Sequence, residues 1–277
     1  MAGLIEKSVN LIPWWLRDHI RKIPFLAWLQ RRLFNLLLAN KSFDYQINAG
    51  PAKGLWMAIA MPDDKLIWTG TWEKVVGETM ARLVPQQGVC LDIGSHRGFM
   101  AGIMALNGAK AVYCFEPMPE NIKHLQRFKQ LNAKLPLHLK PYAVGGRQGE
   151  ASFSIMNDNS MGKLADSSFQ SGRDHQQEIT VQVRRLDDLV RVGEIEPPHL
   201  MKVDVEGAEM EVLEGAVETI EQHLPIMIVE VHTMDLAVAC DAWLKARGYQ
   251  VEVLERGEPL DATVPYTLFH LLGMPPA

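Results

Sequence analysis

Acidic side chains and one histidine follow short apolar segments in the middle of the chain. They are Asp92, Glu116, Asp204, Glu230 and His232. Carboxylates bind hydroxyl groups, amino groups and cations, and an imidazole oriented by a carboxylate can accept a proton from a reacting group. Because like charges repel when they converge, such a set of acids indicates a bound cation or a ligand rich in hydroxyl and amino groups.

The first acid lies in a turn that contains two glycines. Residues 90–100 read CLDIGSHRGFM, so Asp92, Gly94 and Gly98 form the pattern D-x-G-x-x-x-G. Glycine lets a backbone pass close to a ligand and lets the following helix begin tightly. The pattern is neither the G-x-G-x-x-G turn of dinucleotide-binding enzymes nor a phosphate-binding loop with its lysine.

The acid after the second apolar segment indicates what this turn would bind. In dinucleotide-binding folds an acid at the tip of the second strand binds ribose hydroxyls, and Glu116 occupies that position here. The combination suits a nucleoside with a cationic group near the first turn and no pyrophosphate. S-adenosylmethionine meets this description, with its ribose on Glu116 and its amino group close to the first turn.

Short apolar runs alternate with helical segments from about residue 50, which predicts a doubly wound α/β sheet with helices on both faces. The predicted strands are VCLDIG, AVYCFEP, LHLKPYAV, LMKVDVE, PIMIVEVH and a closing pair, YQVEVLE and YTLFHLLG. The predicted helices are TWEKVVGETMARLV with Thr71 as its N-cap, Arg97–Asn107, Pro119–Asn132, Ala208–His223 and Met234–Arg247. Ligands of such sheets bind beyond the C-terminal ends of the strands, where the acids would lie.

Further segments lie outside these seven strands. GLWMAIAMP and KLIW are predicted as short strands or a hairpin, and GEASFSIM and EITVQVRRL as added strands. The polar, Gly- and Ser-rich residues 157–177 between the last two are predicted to form a loop near the ligand side of the sheet.

The composition is that of a soluble globular protein, with 277 residues, 47% of them hydrophobic and 22% charged. The net charge of −5 is uneven, because residues 1–41 carry seven basic and two acidic side chains. The acidic remainder argues against nucleic acid as a partner. Three cysteines without a C-x-x-C pair argue against a zinc site and are typical of a reducing compartment. We therefore divide the chain into a basic helical arm, residues 1–49, and a main domain, residues 50–277.

The arm is predicted to form two amphipathic helical pieces with a break near Pro24. No apolar run in it approaches the roughly 18 residues that a membrane span needs, and no signal peptide is predicted. As an interfacial helix, residues 12–39 would insert tryptophans among lipid headgroups and place a cytoplasmic protein at the inner face of the membrane. Packing on the main domain, or on a second copy in a homo-oligomer, explains the same pattern, and both interpretations stay open.

Four segments together resemble the FkbM-type family of methyltransferases, a branch of the class I enzymes that use S-adenosylmethionine. They are LDIGSHRGFM, VYCFEPMPEN, RRLDDL and MKVDVEGAEMEVLEGA, and GTWE and VEVH agree with them. The resemblance covers roughly residues 50–273 and implies a Rossmann-like sheet of about seven strands. It also implies O-methylation, often of sugars or glycosylated products. The family usually has Ala-Asn where this chain has Ser95-His96, and Ser or Thr at Ala101, so the geometry of the first turn is expected to differ.

Candidate site residues follow from strand-tip positions and from the resemblance. The predicted cofactor-binding residues are Glu73, Asp92, Gly94, Ser95, His96, Gly98, Glu116, Pro117, Ala143 and Asp204. His232 is the first candidate for the general base, with Asp204 or Glu230 assisting. A divalent cation on Asp204 and Glu230 would instead lower the pKa of the acceptor hydroxyl, an alternative that we do not favour.

Structural roles compete with several of these assignments. Asp204 and Glu206 could cap the helix that follows them, Glu73 could complement a helix N-terminus, and a lone histidine at a strand end is often a structural hydrogen-bonder. Glu209 and Glu211 are predicted on a helix surface.

The function predicted from the sequence is methyl transfer to a hydroxyl of a small molecule or glycan. One alternative is a non-catalytic, membrane-associated scaffold with a methyltransferase fold, favoured by the altered Ser95-His96-Arg97 turn. A methyltransferase of a protein acceptor is the other.

Overall fold

The computed structural model describes residues 25, 41–155, 162–164, 177–264, 266 and 268–276. The chain divides into two compact units, with the boundary between Trp72 and Glu73. Apart from residue 25, the predicted arm segment 12–39 lies outside the described residues, so both interpretations of it remain predictions. None of the helices in the described part is long and apolar enough to cross a membrane.

The first unit contains a two-stranded antiparallel sheet and a short helix. Its elements are β1 (Ser42–Gln46), β2 (Trp56–Ala60) and α1 (Lys65–Thr69). The prediction of a strand or hairpin at KLIW is therefore wrong, since these residues form α1. The backbone N–H of Trp68 donates to the carbonyl of Asp64, and Gly70 ends the helix in the left-handed conformation. β1 and β2 lie on either side of the predicted boundary at residue 49 and pair with each other.

The second unit is built on a seven-stranded sheet. The strands of the whole unit, including those of a second, smaller sheet, are β3 (Val89–Ile93), β4 (Ala111–Phe115), β5 (Leu137–Lys140), β6 (Ala143–Val144), β7 (Gly149–Ile155), β8 (Gly162–Leu164), β9 (Gln177–Arg184), β10 (Leu200–Val203), β11 (Ile226–Val231), β12 (Gln250–Val253) and β13 (Phe269–Met274). The main sheet has the order β12-β13-β11-β10-β3-β4-β5. The five strands from β11 to β5 run parallel, and β13 is antiparallel to both of its neighbours.

The helices of the second unit alternate with these strands, which confirms the predicted doubly wound Rossmann-like sheet. They are α2 (Lys74–Leu83), α3 (Phe99–Leu106), α4 (Pro119–Leu131), α5 (Leu186–Arg191), α6 (Glu209–Glu214), α7 (Val217–His223) and α8 (Met234–Lys245). Every residue of β3 and β4 is buried, as expected for central parallel strands that are covered on both faces. The predicted closing pair is confirmed as β12 and β13.

Three helix predictions need correction. The N-cap of α2 is Glu73, in the left-handed conformation, and not Thr71. Helix α3 begins at Phe99, two residues later than predicted. The single helix predicted over residues 208–223 is divided into α6 and α7 by Gly215, where a Cβ would collide with the carbonyl oxygen of Gly145.

The remaining strands form a separate small sheet with the order β6-β9-β7-β8. The two predicted added strands are β7 and β9, and they pair antiparallel. The single strand predicted at LHLKPYAV is divided, because Pro141 has no N–H to donate and β6 leaves the main sheet to pair with β9. The short strand β8 interrupts the predicted loop, and the rest of that loop, apart from Gln177, lies outside the described residues.

Candidate active site

The first turn of the site connects β3 to α3. The backbone N–H groups of Gly94 and Ser95 both donate to the carbonyl oxygen of Phe115 at the end of β4, at 3.0 and 2.9 Å. Gly94 has a φ of 85°, and a Cβ there would collide with the carbonyl oxygen of Asp204. This glycine therefore lets the first turn lie directly against the tip of β10. The predicted ligand-binding segments that follow β3 and β10 are thus neighbours.

The second glycine of the turn, Gly98, has a φ of 87° and precedes α3. A Cβ there would lie 2.7 Å from the Cδ1 atom of Leu125 and 2.6 Å from that of Phe128, both on α4. A side chain at position 98 would therefore have to displace Leu125 and Phe128, and it would adopt a backbone conformation that favours glycine. Both glycines are thus explained by the positive φ and close packing of the turn, without reference to a ligand.

Asp92 fixes the start of α3 and keeps one oxygen uncommitted. Its Oδ2 accepts a hydrogen bond from the backbone N–H of Ala101 at 3.0 Å. Its Oδ1 is buried and has no hydrogen-bond partner within the described part of the chain. Burial raises the pKa of Asp92 to about 6. Ser95 supports the same strand end by donating from Oγ to the Asp92 carbonyl at 2.6 Å.

Glu116 joins the first turn to a second turn, residues 116–118, which follows β4. Its Oε2 accepts from the backbone N–H of His96 at 2.9 Å, and its Oε1 accepts from that of Met118 at 2.8 Å. Burial raises the pKa of Glu116 to about 7. This buried carboxylate therefore adds to the bonds of Gly94 and Ser95 that hold the segments after β3 and β4 together. Pro117, which follows Glu116, is half-buried.

His96 adopts the left-handed conformation, with a φ of 48°. Burial, helped by the charge of Arg97, lowers the pKa of His96 to about 4, so the ring is neutral. Its buried Nε2 has no hydrogen-bond partner among the described residues. The substitution noted in the turn thus adds a neutral imidazole with an unsatisfied nitrogen.

Lys202, on β10, was not recognised from the sequence as a site residue. Its side chain is only 4% exposed, and its Nζ donates to Oδ2 of Asp204 at 2.6 Å. Burial acts to lower the pKa of Lys202, but the charges of Asp204, Asp92 and other acids outweigh it and hold the pKa above its usual value. The signal available in MKVDV was a lysine inside an apolar strand, since lysine is almost never fully buried unless it is paired.

Asp204 follows β10 and lies between Lys202 and the histidine of the next strand tip. Burial acts to raise the pKa of Asp204, but the charge and hydrogen bond of Lys202 outweigh burial and lower the pKa. Asp204 is therefore ionised at neutral pH. Its backbone N–H donates to Ile93 at the end of β3, which again joins the two strand tips.

His232 is buried and is oriented by Glu209. Its Nδ1 lies 2.9 Å from Oε1 of Glu209, which also accepts from the backbone N–H of Gly207. Burial acts to lower the pKa of His232, but the hydrogen bond and charge of Glu209 and the charge of Glu206 outweigh it and raise the pKa to about 9. The prediction that Glu209 lies on a helix surface is wrong, because its side chain is fully buried beneath the histidine.

The other ring nitrogen of His232 faces three carboxylates. Nε2 lies 3.4 Å from Glu206, 3.6 Å from Glu230 and 3.8 Å from Asp204. Burial raises the pKa of Glu206 to about 7, and its φ is 54°. The three predicted catalytic residues thus lie in one cluster.

His270, on β13, is the second imidazole of the site and was not recognised from the sequence. The strand register places it directly opposite Glu230 on β11, and its Nε2 lies 3.1 Å from Oε2 of Glu230. Its Nδ1 lies 2.7 Å from Oε1 of Glu255. The only signal in FHLLG was a histidine inside an apolar strand.

Two predicted cofactor residues remain to be placed. Glu73 is partly buried, burial raises its pKa, and its Oε2 has no hydrogen-bond partner in the described part of the chain. Ala143 lies on β6 in a small apolar cluster with Met118, Phe153 and Val183, so it offers only an apolar surface.

Cationic side chains of the chain itself lie among the acids of this edge. Among the described residues, two groups of side chains have ligand-type atoms within 4.8 Å of one another: Glu73, Glu230 and His270, and Asp204, Glu230 and His232. Lys202 lies among them, and two histidines with raised pKa values share their carboxylates. Lys202 therefore supplies one buried positive charge among these acids, and the ligand rich in hydroxyl and amino groups remains a prediction.

Comparison with known proteins assigns the fold to a family. Residues 92–251 match the model of the methyltransferase FkbM domain. The chain is 30% identical over 146 residues to the hexuronic acid methyltransferase AglP of Haloferax volcanii, and 30% identical over 166 residues to the 2-O-methyltransferase NoeI of Sinorhizobium fredii. These matches cover 52% and 53% of this chain, and 56% and 65% of the relatives.

A solved structure of a methyltransferase FkbM from Methylobacillus flagellatus is 20% identical in sequence. The match covers 67% of this chain and 43% of that one, with a TM-score of 0.45. The family match spans the first turn, the ends of β4, β10 and β11, and the D-V-E-G-A-E segment. It confirms the resemblance found in the sequence. The chain belongs to the methyltransferase FkbM domain family.

Proposed function

We propose that the protein transfers a methyl group from S-adenosylmethionine to a hydroxyl oxygen of a sugar or a glycosylated acceptor. The observation that carries the cofactor is Glu116, a buried carboxylate at the tip of the second strand that is bound to both turns. The relatives named a hexuronic acid methyltransferase and a 2-O-methyltransferase support the sugar acceptor.

The donor and acceptor groups of the site fit this cofactor. Oδ1 of Asp92 and Oε2 of Glu73 are buried acceptors without a donor among the described residues. An ammonium group offers three donors and a positive charge, which would satisfy both oxygens. Glu116 would accept from the ribose hydroxyls, because each carboxylate oxygen accepts more than one hydrogen bond. The turn carries no lysine for a phosphate, in agreement with a nucleoside that lacks one.

The chain's own residues would align the reactants and remove a proton. When bound, S-adenosylmethionine supplies a methyl group on a sulfonium, and its transfer to a hydroxyl releases one proton. Alignment by a rigid site can contribute about 7–11 kcal/mol at best. His232 would take the hydroxyl proton on Nε2 while Glu209 holds the ring at Nδ1. Asp204 and Glu230 would assist by stabilising the imidazolium that results.

Calorimetry with S-adenosylmethionine tests the cofactor assignment. Replacing Glu116 with glutamine removes a charged acceptor, and a hydrogen bond to a charged group contributes about 1.5–3 kcal/mol. We therefore expect the Kd to rise by roughly tenfold or more. The matched control is Glu120→Gln, an exposed acid at the start of α4 that pairs only with Lys123 among the contacts described, and it should bind like the wild type.

Two results would overturn the assignment. Absence of binding by the intact chain would favour the non-catalytic scaffold. Binding that is unchanged in Glu116→Gln would show that the cofactor lies elsewhere. If the cofactor binds but no sugar is methylated, a protein acceptor becomes the better proposal.

We further propose that residues 12–39 contact an anionic membrane surface. The support is the basic charge and the tryptophans of this segment. Flotation with vesicles that contain anionic lipid is expected to recover the full chain and to lose it when residues 1–41 are deleted. Equal recovery of both forms would contradict the proposal, and a change of oligomeric state on deletion would favour the contact between copies.

A further inference from the structure

Glu230 lies between two imidazoles, each of which is backed by a second carboxylate. Its Oε1 lies 3.6 Å from Nε2 of His232, and its Oε2 lies 3.1 Å from Nε2 of His270. Behind His232 is Glu209, and behind His270 is Glu255. The described side chains thus form a continuous row in which carboxylates and imidazoles alternate.

The contacts of Glu255 fix both the ring and the backbone of His270. Its carboxylate accepts from the backbone N–H of His270 at 3.1 and 3.2 Å, and its Oε1 lies 2.7 Å from the ring Nδ1. The His270 side chain is 4% exposed, while that of Glu255 is 33% exposed. A buried charge is costly unless an opposite charge is paired with it. Each imidazole of this row therefore needs its carboxylates, and Glu230 needs its imidazoles.

We propose that His270, held by Glu255, is a positioning residue that aims Glu230 at His232 and supplies the cation facing Glu230 from β13. The proposal rests on the proposed function for its catalytic consequence only, because the geometry is independent of any substrate. Glu255 lies outside the cluster and has no contact with the first turn or with the tip of β10 among those described, so it acts through His270 alone.

The charges around His270 determine the direction of the effect. Burial acts to lower the pKa of His270, but hydrogen bonds and charges from Glu230 and Glu255 outweigh it and raise the pKa to about 9. Glu73 and Asp204 also act on His270, and Lys202 is the nearby cation that acts on both of those acids. If His270 loses its positive charge, only His232 and the charge of Lys202 remain as the described cations that act on Glu230, and the Glu230–His232 pair then holds its proton more tightly.

Replacing Glu255 with glutamine tests this coupling without altering the cluster itself. We expect the pKa of His270 to fall by about one unit or more and that of His232 to rise, both read from histidine NMR titrations of the full chain. For methyl transfer, the acid limb of the kcat/KM profile should move to higher pH. At pH values below the pKa of His232, a rise of one unit in that pKa lowers kcat/KM about tenfold. The loss should disappear at alkaline pH.

Three variants make the test specific. Glu255→Asp keeps the charge and should restore most of the His270 titration. Glu258→Gln removes a nearby exposed acid and should leave both histidines unchanged. His270→Gln removes the cation directly, and if Glu255→Gln does not fold, this variant should still raise the pKa of His232.

An unchanged His232 titration in both Glu255→Gln and His270→Gln would overturn the proposal. So would a uniform loss of activity at all pH values, which indicates a structural role only. Because the titrations need no substrate, they decide the proposal even if the wild type transfers no methyl group, and that result would instead refute the proposed function.

Discussion

Replacing His232 with glutamine is expected to lower kcat/KM for methyl transfer by about 10²- to 10⁴-fold, the usual contribution of a general base. The ring is held by a buried carboxylate at Nδ1 and faces Asp204 and Glu230 with Nε2, so glutamine keeps the volume and loses the proton acceptor. The affinity for S-adenosylmethionine should stay within a few-fold of wild type, because the proposed ribose acceptor Glu116 is held by the backbone N–H groups of His96 and Met118. Initial rates with the most active sugar of a panel, and calorimetry, measure the two effects.

The direction in which the methyl-transfer rate changes with pH follows from the protonation state of His232. The base works in its neutral form, and Glu209 raises the pKa of His232 to about 9 after burial is overcome. The rate should therefore rise with pH through the alkaline range, and in Glu209→Gln the limb should move to lower pH. His223→Gln, an exposed histidine at the end of α7, is the matched control. Full activity in His232→Gln would remove the general-base assignment.

Replacing Lys202 with methionine is expected to cost about 3–5 kcal/mol of unfolding free energy, the usual result of removing one partner of a buried pair. Methionine fills the same volume but leaves Asp204 without its 2.6 Å hydrogen bond and Asp92 without its compensating charge. Urea unfolding of the full chain measures the loss. Lys74→Met, which removes an exposed pair with Glu78 on α2, should cost at most about 1 kcal/mol.

The loss in Lys202→Met should depend on pH. Without the lysine, the folded-state pKa values of Asp92 and Asp204 rise, because Lys202 lowers both in the wild type. Groups whose folded-state pKa is raised lose stabilising free energy as pH increases, so the deficit should be larger at pH 8 than at pH 5. A deficit that is small, or the same at both pH values, would show that Lys202 does not neutralise the cluster.

The sheet could be predicted because its strands are short apolar runs with clear ends. β3 and β4 are buried along their whole length, and such runs leave few alternatives. KLIW was assigned wrongly since a run of only three apolar residues, Leu66 to Trp68, fits a strand or a helical turn equally well. The break at Gly215 depends on the distant backbone of Gly145, and no local pattern reports such a contact.

The candidate site was predictable where its residues directly follow a strand, because ligands of parallel sheets bind beyond the C-terminal ends of the strands. Strand tips identified Asp92, Glu116, Asp204 and Glu230, which the structure brings to one edge. The partners that determine their charge lie elsewhere. Lys202 is opposite Asp92, and His270 is opposite Glu230, only through strand register. Register between strands that are distant in sequence is a tertiary property, so these pairs could not be derived from spacing.

The fate of the transferred methyl group distinguishes O-methylation of a sugar from every alternative activity of this site. The full chain is incubated with S-adenosylmethionine that carries a ¹³C-labelled methyl group and with a panel of neutral and acidic sugars, and the products are identified by NMR and mass spectrometry. We expect a labelled methyl on a sugar oxygen, formed by the wild type and by His223→Gln and strongly reduced in His232→Gln. Label on nitrogen, on protein, or on no product despite cofactor binding would contradict it.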